Sequence, residues 1–259
     1  MLFRSCAGAA QKGISASQAG EIFDLMEKFA GYGFNKSHAA AYSLLAYQTA
    51  WLKTHFTAEF FCANMTVELD NTDKLKVLHQ DAIAMSMQFE PPDINRSQYR
   101  FEPVSDSVIR YGLGAIKGTG ESAIAAIVSA REENGPFTSL FDFCARINRG
   151  KLNKRTVEAL VKAGAFDRLH LDRAALLASI DLAFDYALAQ EANTHQVGLF
   201  DLADDGHGSS TQEPALAEAT PWDLRERLQQ EKAALGFHLS GHLLDACANE
   251  VRRFVQTPL

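Results

Sequence analysis

The sequence predicts a mainly α-helical fold carrying one small β hairpin, and three observations support it. Apolar residues recur at i, i+3, i+4 and i+7 in one segment after another. Glycine, proline and serine punctuate those segments at turn positions. Only one stretch, residues 99–111, sets two short β-prone runs about a turn. The 259 residues are 47% hydrophobic and 22% charged, which suits a globular chain, and the length favours two or three compact units over one.

Ile22, Leu25, Met26 and Phe29 form the first apolar stripe, with Ser17 as its candidate cap and Gly31 and Gly33 as its stop. A second helix is predicted over 37–53, where Ala40, Leu44, Tyr47 and Trp51 share a face and Lys53 suits the negative end. A third is predicted over 73–85 on Leu75, Leu78, Ala82 and Met85. After Pro91-Pro92, residues 99–101 and 108–111 flank Ser105-Asp106-Ser107 as a hairpin. Helices follow at 121–133, 140–147, 154–163 and 172–192, the last with Leu177, Ile180, Phe184 and Leu188 as its buried stripe. Residues 201–223 hold no Lys or Arg, while Asp201, Asp204, Asp205, Glu213, Glu218 and Asp223 accumulate among Gly, Ser, Thr and Pro; that is linker composition. A last helical piece is predicted over 242–254.

Several function classes are excluded early. No apolar run is long enough for a membrane span or a secretory core segment. Cys6, Cys62, Cys144 and Cys247 are far apart with no CxxC pair, which argues against a disulfide framework or zinc ribbon and fits a reducing cytosol. The formal net charge of −7 disfavours coating nucleic acid by overall charge but permits local basic surfaces. HExxH, GxSxG, P-loop and Cys/His clusters are absent, so no self-contained active site is expected.

Three segments carry recognition chemistry. Around Phe34–Tyr42, a glycine-bounded loop offers Asn35 or Ser37 as a helix cap, with Lys36 and His38 beside the positive end of the helix and Tyr42 on the same face as His38. That arrangement suits an anion such as a phosphate; the alternative is a capped helix whose rings pack. In Gly114-Ala115-Ile116-Lys117-Gly118-Thr119-Gly120-Glu121, a Gly-x-Gly turn opens an apolar helix on Ile124, Ile127 and Val128. This is the pattern of a helix-hairpin-helix, whose turn amides grip the DNA backbone without reading bases. A Rossmann loop and a plain glycine turn are the competing readings, the first weakened by a short preceding strand and no βαβ alternation. A second, degenerate unit is expected over 154–177 with Ala163-Gly164-Ala165 at its turn, and Lys151, Lys154, Arg155, Lys162 and Arg168 as a local basic patch. Finally, Gln196-Val197-Gly198-Leu199-Phe200 reads either as a docking peptide or as an apolar pair folded back on the preceding helix.

Taken in order, YGFNKSHAAAYSLLAYQTAWLK (32–53), LDNTDK (69–74), PPDIN (91–95), YGLGAIKGTGE (111–121), KLNKRTVEALVKAGAFD (151–167) and GFHLSGH (236–242) resemble the bacterial DNA polymerase III alpha-subunit family, the C-family replicative polymerases. The resemblance covers nearly the whole chain, and the Asn35-Lys36-Ser37-His38 form matches the replicative type. It implies an internal slice of a longer polymerase: 1–103 the C-terminal part of the fingers, 104–195 a tandem helix-hairpin-helix domain, 196–235 a clamp-binding motif and acidic linker, and 236–259 the lead-in to an OB domain. By the same resemblance, Asn35, Lys36, Ser37, His38 and Tyr42 belong to a nucleotide- and template-binding surface. Lys117, Gly118, Thr119, Gly120, Lys151, Lys154 and Arg155 would hold DNA, and Gln196, Leu199 and Phe200 would dock on the sliding clamp. The implied partners are a primer-template duplex, dNTP, the sliding clamp and other polymerase III holoenzyme subunits, in the cytoplasm and without membrane contact. Family chemistry is DNA-directed nucleotidyl transfer on two Mg²⁺ ions held by palm aspartates. Those aspartates have no counterpart here, so this chain is expected to carry no catalytic residue, no metal ligand and no cofactor of its own, and to be inactive alone. Two departures stand out: Leu243 replaces the usual proline after Gly-His, and the second hairpin lacks a full Gly-x-Gly. The rival readings are a stand-alone helix-hairpin-helix adaptor that brings a clamp to DNA and an independent nucleotide-binding enzyme using residues 112–120.

Overall fold

The computed structural model describes residues 7–30, 36–148, 150–195 and 212–247, in two compact units, Met1–His55 and Phe56–Leu259. The first unit holds α1 (Ala16–Ala30) and α2 (Lys36–His55). Ser15, not Ser17, caps α1: its Oγ accepts the Gln18 amide at 3.3 Å, the three-residue reach that capping requires, and Ser17 lies inside the first turn. The expected stripes exist as helix faces but are not buried. Ile22, Leu25, Met26 and Phe29 on α1, and Leu44, Tyr47 and Trp51 on α2, are all exposed, and among this unit's described residues only Ala19 is buried.

The second unit is built from α3 (Thr57–Val67), α4 (Thr72–Ala84), β1 (Gln88–Glu90), β2 (Glu102–Ser105), β3 (Val108–Arg110), α5 (Glu121–Asn134), α6 (Leu140–Arg146), α7 (Lys154–Lys162), α8 (Arg173–Ala178), α9 (Ile180–His195) and α10 (Leu224–Leu235). A hairpin forms about the 105–107 turn, but its first strand is β2 at Glu102–Ser105 and not the predicted 99–101; β2 and β3 pair antiparallel with an irregularity between Pro103 and Ser105. β1 adds to β3 in parallel, giving the order β1-β3-β2. Buried Ala58, Phe61, Cys62 and Met65 turn α3 onto this sheet.

One continuous core runs from Ala58 to Phe237. Its centre is an aromatic row in which Phe143 stands edge-on to Phe137 and to Phe166, each at 5.0 Å. Such pairs add about 0.5–1.5 kcal/mol each beyond their burial. The PPDIN segment is a cross-link within this core. Asn95 Oδ1 accepts the Phe137 amide at 2.7 Å while its Nδ2 donates to the Phe137 carbonyl at 2.8 Å, and the Ile94 amide donates to Ala165.

Three expectations are corrected here. The single helix predicted over 172–192 is broken at Ser179, whose hydroxyl donates to the Ala175 carbonyl at 2.7 Å while its oxygen accepts the Ala217 amide. The stretch read as linker is structured from residue 212 onward. An extended strap is pinned by Ser139 Oγ donating to Glu213 and by Ala217 on Ser179, and α10 follows with Asp223 as its cap and Leu228, Glu231, Ala234 and Leu235 buried. Last, a short 3-10 turn, Leu243–Cys247, stands at the head of the helix expected over 242–254, with the His242 amide held by Asp245; residues beyond 247 lie outside the described set.

Candidate nucleic-acid interface

An α-helix leaves its first amides without carbonyl partners, so a turn that exposes them is a ready seat for an anion. The turn before α5 is built that way. A 3-10 turn, Leu113–Ala115, leads into Lys117 and Gly118, and Gly120 stands as the extended N-cap of α5 with no side-chain cap. Gly118 has φ +83°, a left-handed conformation that favours glycine, and a Cβ there or at Gly120 would meet nothing within 4 Å, so the space before the turn is open. Thr119 locks the loop from inside: its Oγ1 lies 2.8 Å from the Leu113 carbonyl and 2.7 Å from that of Ile116. The Lys117 amide donates to Ala234 at 2.9 Å and the Thr119 amide to Ile116. Among the described residues the amides of Gly118, Gly120, Glu121 and Ser122 find no backbone or side-chain acceptor.

The first turn of α7 is brought against this loop. Asn153 caps α7 by accepting the Thr156 amide at 2.9 Å, and the Thr156 hydroxyl, 3.3 Å from the Gly118 carbonyl, spans the two elements. Lys117, Lys151 and Arg155 are exposed and make no ion pair among the described residues. The rest of the sequence-predicted basic patch is partly neutralised: Lys154 pairs with Asp181, Lys162 lies 3.9 Å from Glu158, and Arg168 3.1 Å from Asp93. Thr156 lies outside the sequence-predicted contacts, although Asn153-x-x-Thr156 is a legible cap signal.

The second hairpin is not where the sequence placed it. Ala163, Gly164 and Ala165 are buried, and Gly164 (φ +85°) is the capping turn of α7, its amide donating to Val161 and that of Ala165 to Leu160. Behind it sits Arg173, bonded to Asp167 at 2.8 and 2.6 Å, and a phosphate cannot reach the turn. The exposed connection is the one between α6 and α7 that carries Lys151.

Elsewhere, Lys36, Ser37, His38 and Tyr42 are exposed on the first turns of α2, Ser37 being inside the helix and not its cap; the His38 and Tyr42 rings stack at 4.2 Å. Asn35, Gln196, Leu199 and Phe200 lie outside the described residues. Burial, reinforced by Glu59 and Glu102, pushes the Cys62 thiol up to about 12, so it is inert. Among the described residues no three His, Cys, Asp or Glu side chains are grouped to hold a metal ion, and no helix is long and apolar enough to cross a membrane.

Residues 86–176 match the family model of a helix-hairpin-helix motif, the region that contains the open turn. The DNA polymerase III subunit alpha of Neisseria meningitidis serogroup B is 53% identical over 252 residues, covering 97% of this chain and 22% of that protein. The subunits alpha of Pseudomonas aeruginosa and Escherichia coli K12 are each 46% identical, over 96% of this chain and 23% and 21% of their own lengths. The chain thus spans about a fifth of the length of the curated relatives it matches. Those matches run through the open-turn motif and nearly every other residue present, and by them the chain belongs to the DNA polymerase III alpha-subunit family.

Proposed function

We propose that this chain is a DNA-holding segment of a replicative polymerase, gripping the duplex backbone of a primer-template without reading its bases. The observation that carries the reading is the open turn at Gly118–Gly120, whose unpartnered amides face solvent beside Lys117. Exposed Lys151 and Arg155 flank the α7 start that touches it. Three cations neutralising three phosphates give a salt slope of about −2.7, which is roughly a 40-fold loss of affinity between about 50 and 200 mM salt. Fluorescence anisotropy of a labelled primer-template measures this. Binding that ignores salt, or that is absent at both concentrations, refutes the grip.

Three finer assignments belong to the same reading. Lys36, His38 and, less directly, Tyr42 meet the phosphates of an incoming dNTP or the template; the stacked His38–Tyr42 pair supports a shared ligand. Gln196, Leu199 and Phe200 dock on the sliding clamp among the holoenzyme subunits, Gln by hydrogen bonding and the Leu-Phe pair by filling an apolar pocket. Replacing all three with Ala should abolish co-elution with the clamp, and retained co-elution removes the assignment. Nucleotidyl transfer on Mg²⁺ belongs to aspartates outside this sequence, so the chain alone, a cytoplasmic fragment in this reading, does not polymerise.

A further inference from the structure

Beside the open turn lies a second feature that the hairpin reading leaves unused: a pocket of about 400 Å³ between α4 and the 236–242 loop. Lys76, His79, His238 and His242 line it, and no carboxylate does. His238 Nε2 is buried with no hydrogen-bond partner among the described residues. His242 Nδ1 accepts the Leu244 amide at 3.1 Å, which leaves its Nε2 as the protonated, donating nitrogen. His79 is held between the rings of Phe89 at 4.5 Å and Phe237 at 4.9 Å, an apolar wall for the site. Two acids border the site and both are committed: Glu231 Oε1 accepts the Leu239 and Ser240 amides while its Oε2 lies 3.7 Å from Arg173, and Asp245 Oδ2 accepts the His242 amide at 2.6 Å. A buried imidazole nitrogen without a partner, an imidazole donor and a lysine thus converge on a pocket with no carboxylate in its lining.

We propose that this pocket binds a phosphate oxyanion of the DNA backbone, extending the grip that begins at the Gly118 turn. The turn and the pocket are physically joined. The Lys117 amide bonds Ala234, and a Cβ on Gly236, two residues before His238, would lie 3.2 Å from Lys117 Nζ. The assignment rests on the reading of the chain as a backbone binder.

The site also makes binding take up a proton. The groups facing His238 are Lys76 and His79 from α4, Glu231 and Lys232 from α10, and His242 from its own loop. Burial lowers the His238 pKa first, then Lys232, His242 and Lys76, against an opposing push from Glu231. A phosphate reverses the balance and favours imidazolium, so the complex holds more protons than the free chain. Affinity therefore rises as pH falls through the range between the bound and free values, by at most about tenfold per pH unit for one proton.

The test follows the histidine ring signals of the full chain by NMR from about pH 8 to about pH 6, with a DNA duplex and, separately, with pyrophosphate as a free anion. The His238 signals should shift with duplex, and its titration should move upward. His238→Gln should abolish the pH dependence of duplex affinity, and Lys76→Gln should flatten the salt slope by about 0.9, both without a change in melting temperature. Overturning results are His238 signals unmoved by duplex, whether or not pyrophosphate moves them, or a pH dependence that survives His238→Gln. Either of these with salt-dependent duplex binding intact removes only the pocket, whereas a chain that binds no duplex at any salt removes the backbone-grip reading itself.

Discussion

Replacing Glu231 with Ala should loosen the junction between the helix-hairpin-helix region and the 236–242 loop by a predictable amount. The side chain is 1% exposed and accepts the Leu239 amide at 2.5 Å and the Ser240 amide at 2.8 Å. Losing a charged acceptor costs about 1.5 kcal/mol or more for the part-buried Leu239 amide and less for Ser240, which is exposed and can be hydrated. Arg173 loses Glu231 at 3.7 Å but keeps both bonds to Asp167, so its buried charge is not stranded. That keeps the total at about 2–3 kcal/mol, below the 3–5 kcal/mol of a stranded buried ion. For a domain of this size the loss is roughly 5–10 °C in Tm. Glu231→Gln, which still accepts hydrogen bonds, should lose about half as much. Thermal and urea melts followed by circular dichroism read both. A Glu231→Ala melt within about 2 °C of the parent would refute the reasoning and mean that the loop is held by packing alone.

Gly164→Ala should destabilise by about 2–4 kcal/mol, because it forces a side chain into a left-handed turn and into Arg173, 2.2 Å from where its Cβ would stand; a urea midpoint unchanged from the parent contradicts this. Burial lowers the His79 pKa to about 4, below the ordinary value of 6.5 it regains on unfolding. The unfolded chain therefore binds the extra proton, and the stability owed to neutral His79 is present above about pH 6.5 and lost as pH falls toward 4, up to roughly 3 kcal/mol. His79→Phe should flatten the melting temperature across that window, and an unchanged acid profile would show that His79 is not its source.

What was legible in the sequence follows the range of the forces involved. The apolar spacing of α2, α4, α5 and α7, the turn at residues 105–107 and the Gly118 loop are written in residues a few positions apart and are legible for that reason. Two helices carry the same local signal outside the predicted set. Ala58, Phe61, Cys62 and Met65 have the i, i+3, i+4, i+7 spacing of α3, and Asp223 and Gly236 bracket α10 as cap and left-handed stop. The strand β1 was not readable, because its partner is β3, about twenty residues on, with no tight turn between them. Composition misled at the acidic stretch: lacking Lys and Arg says nothing about Ser139 and Ser179, the distant residues that pin it. Gly164 misled in the opposite way, since a glycine in a left-handed turn looks the same in sequence whether it faces solvent or Arg173. The pocket of Lys76, His79, His238 and His242 joins residues more than 150 positions apart and leaves no sequence pattern.

The central claim is that unpartnered amides at one glycine turn hold a DNA phosphate. Amide NMR on the isotope-labelled chain, titrated with duplex of arbitrary sequence, tests it residue by residue. The account predicts downfield shifts at Gly118, Gly120, Glu121 and Ser122, alike for unrelated sequences and reversed by salt, with little change at the buried Gly164 turn. Duplex binding that leaves those four amides unmoved would contradict it.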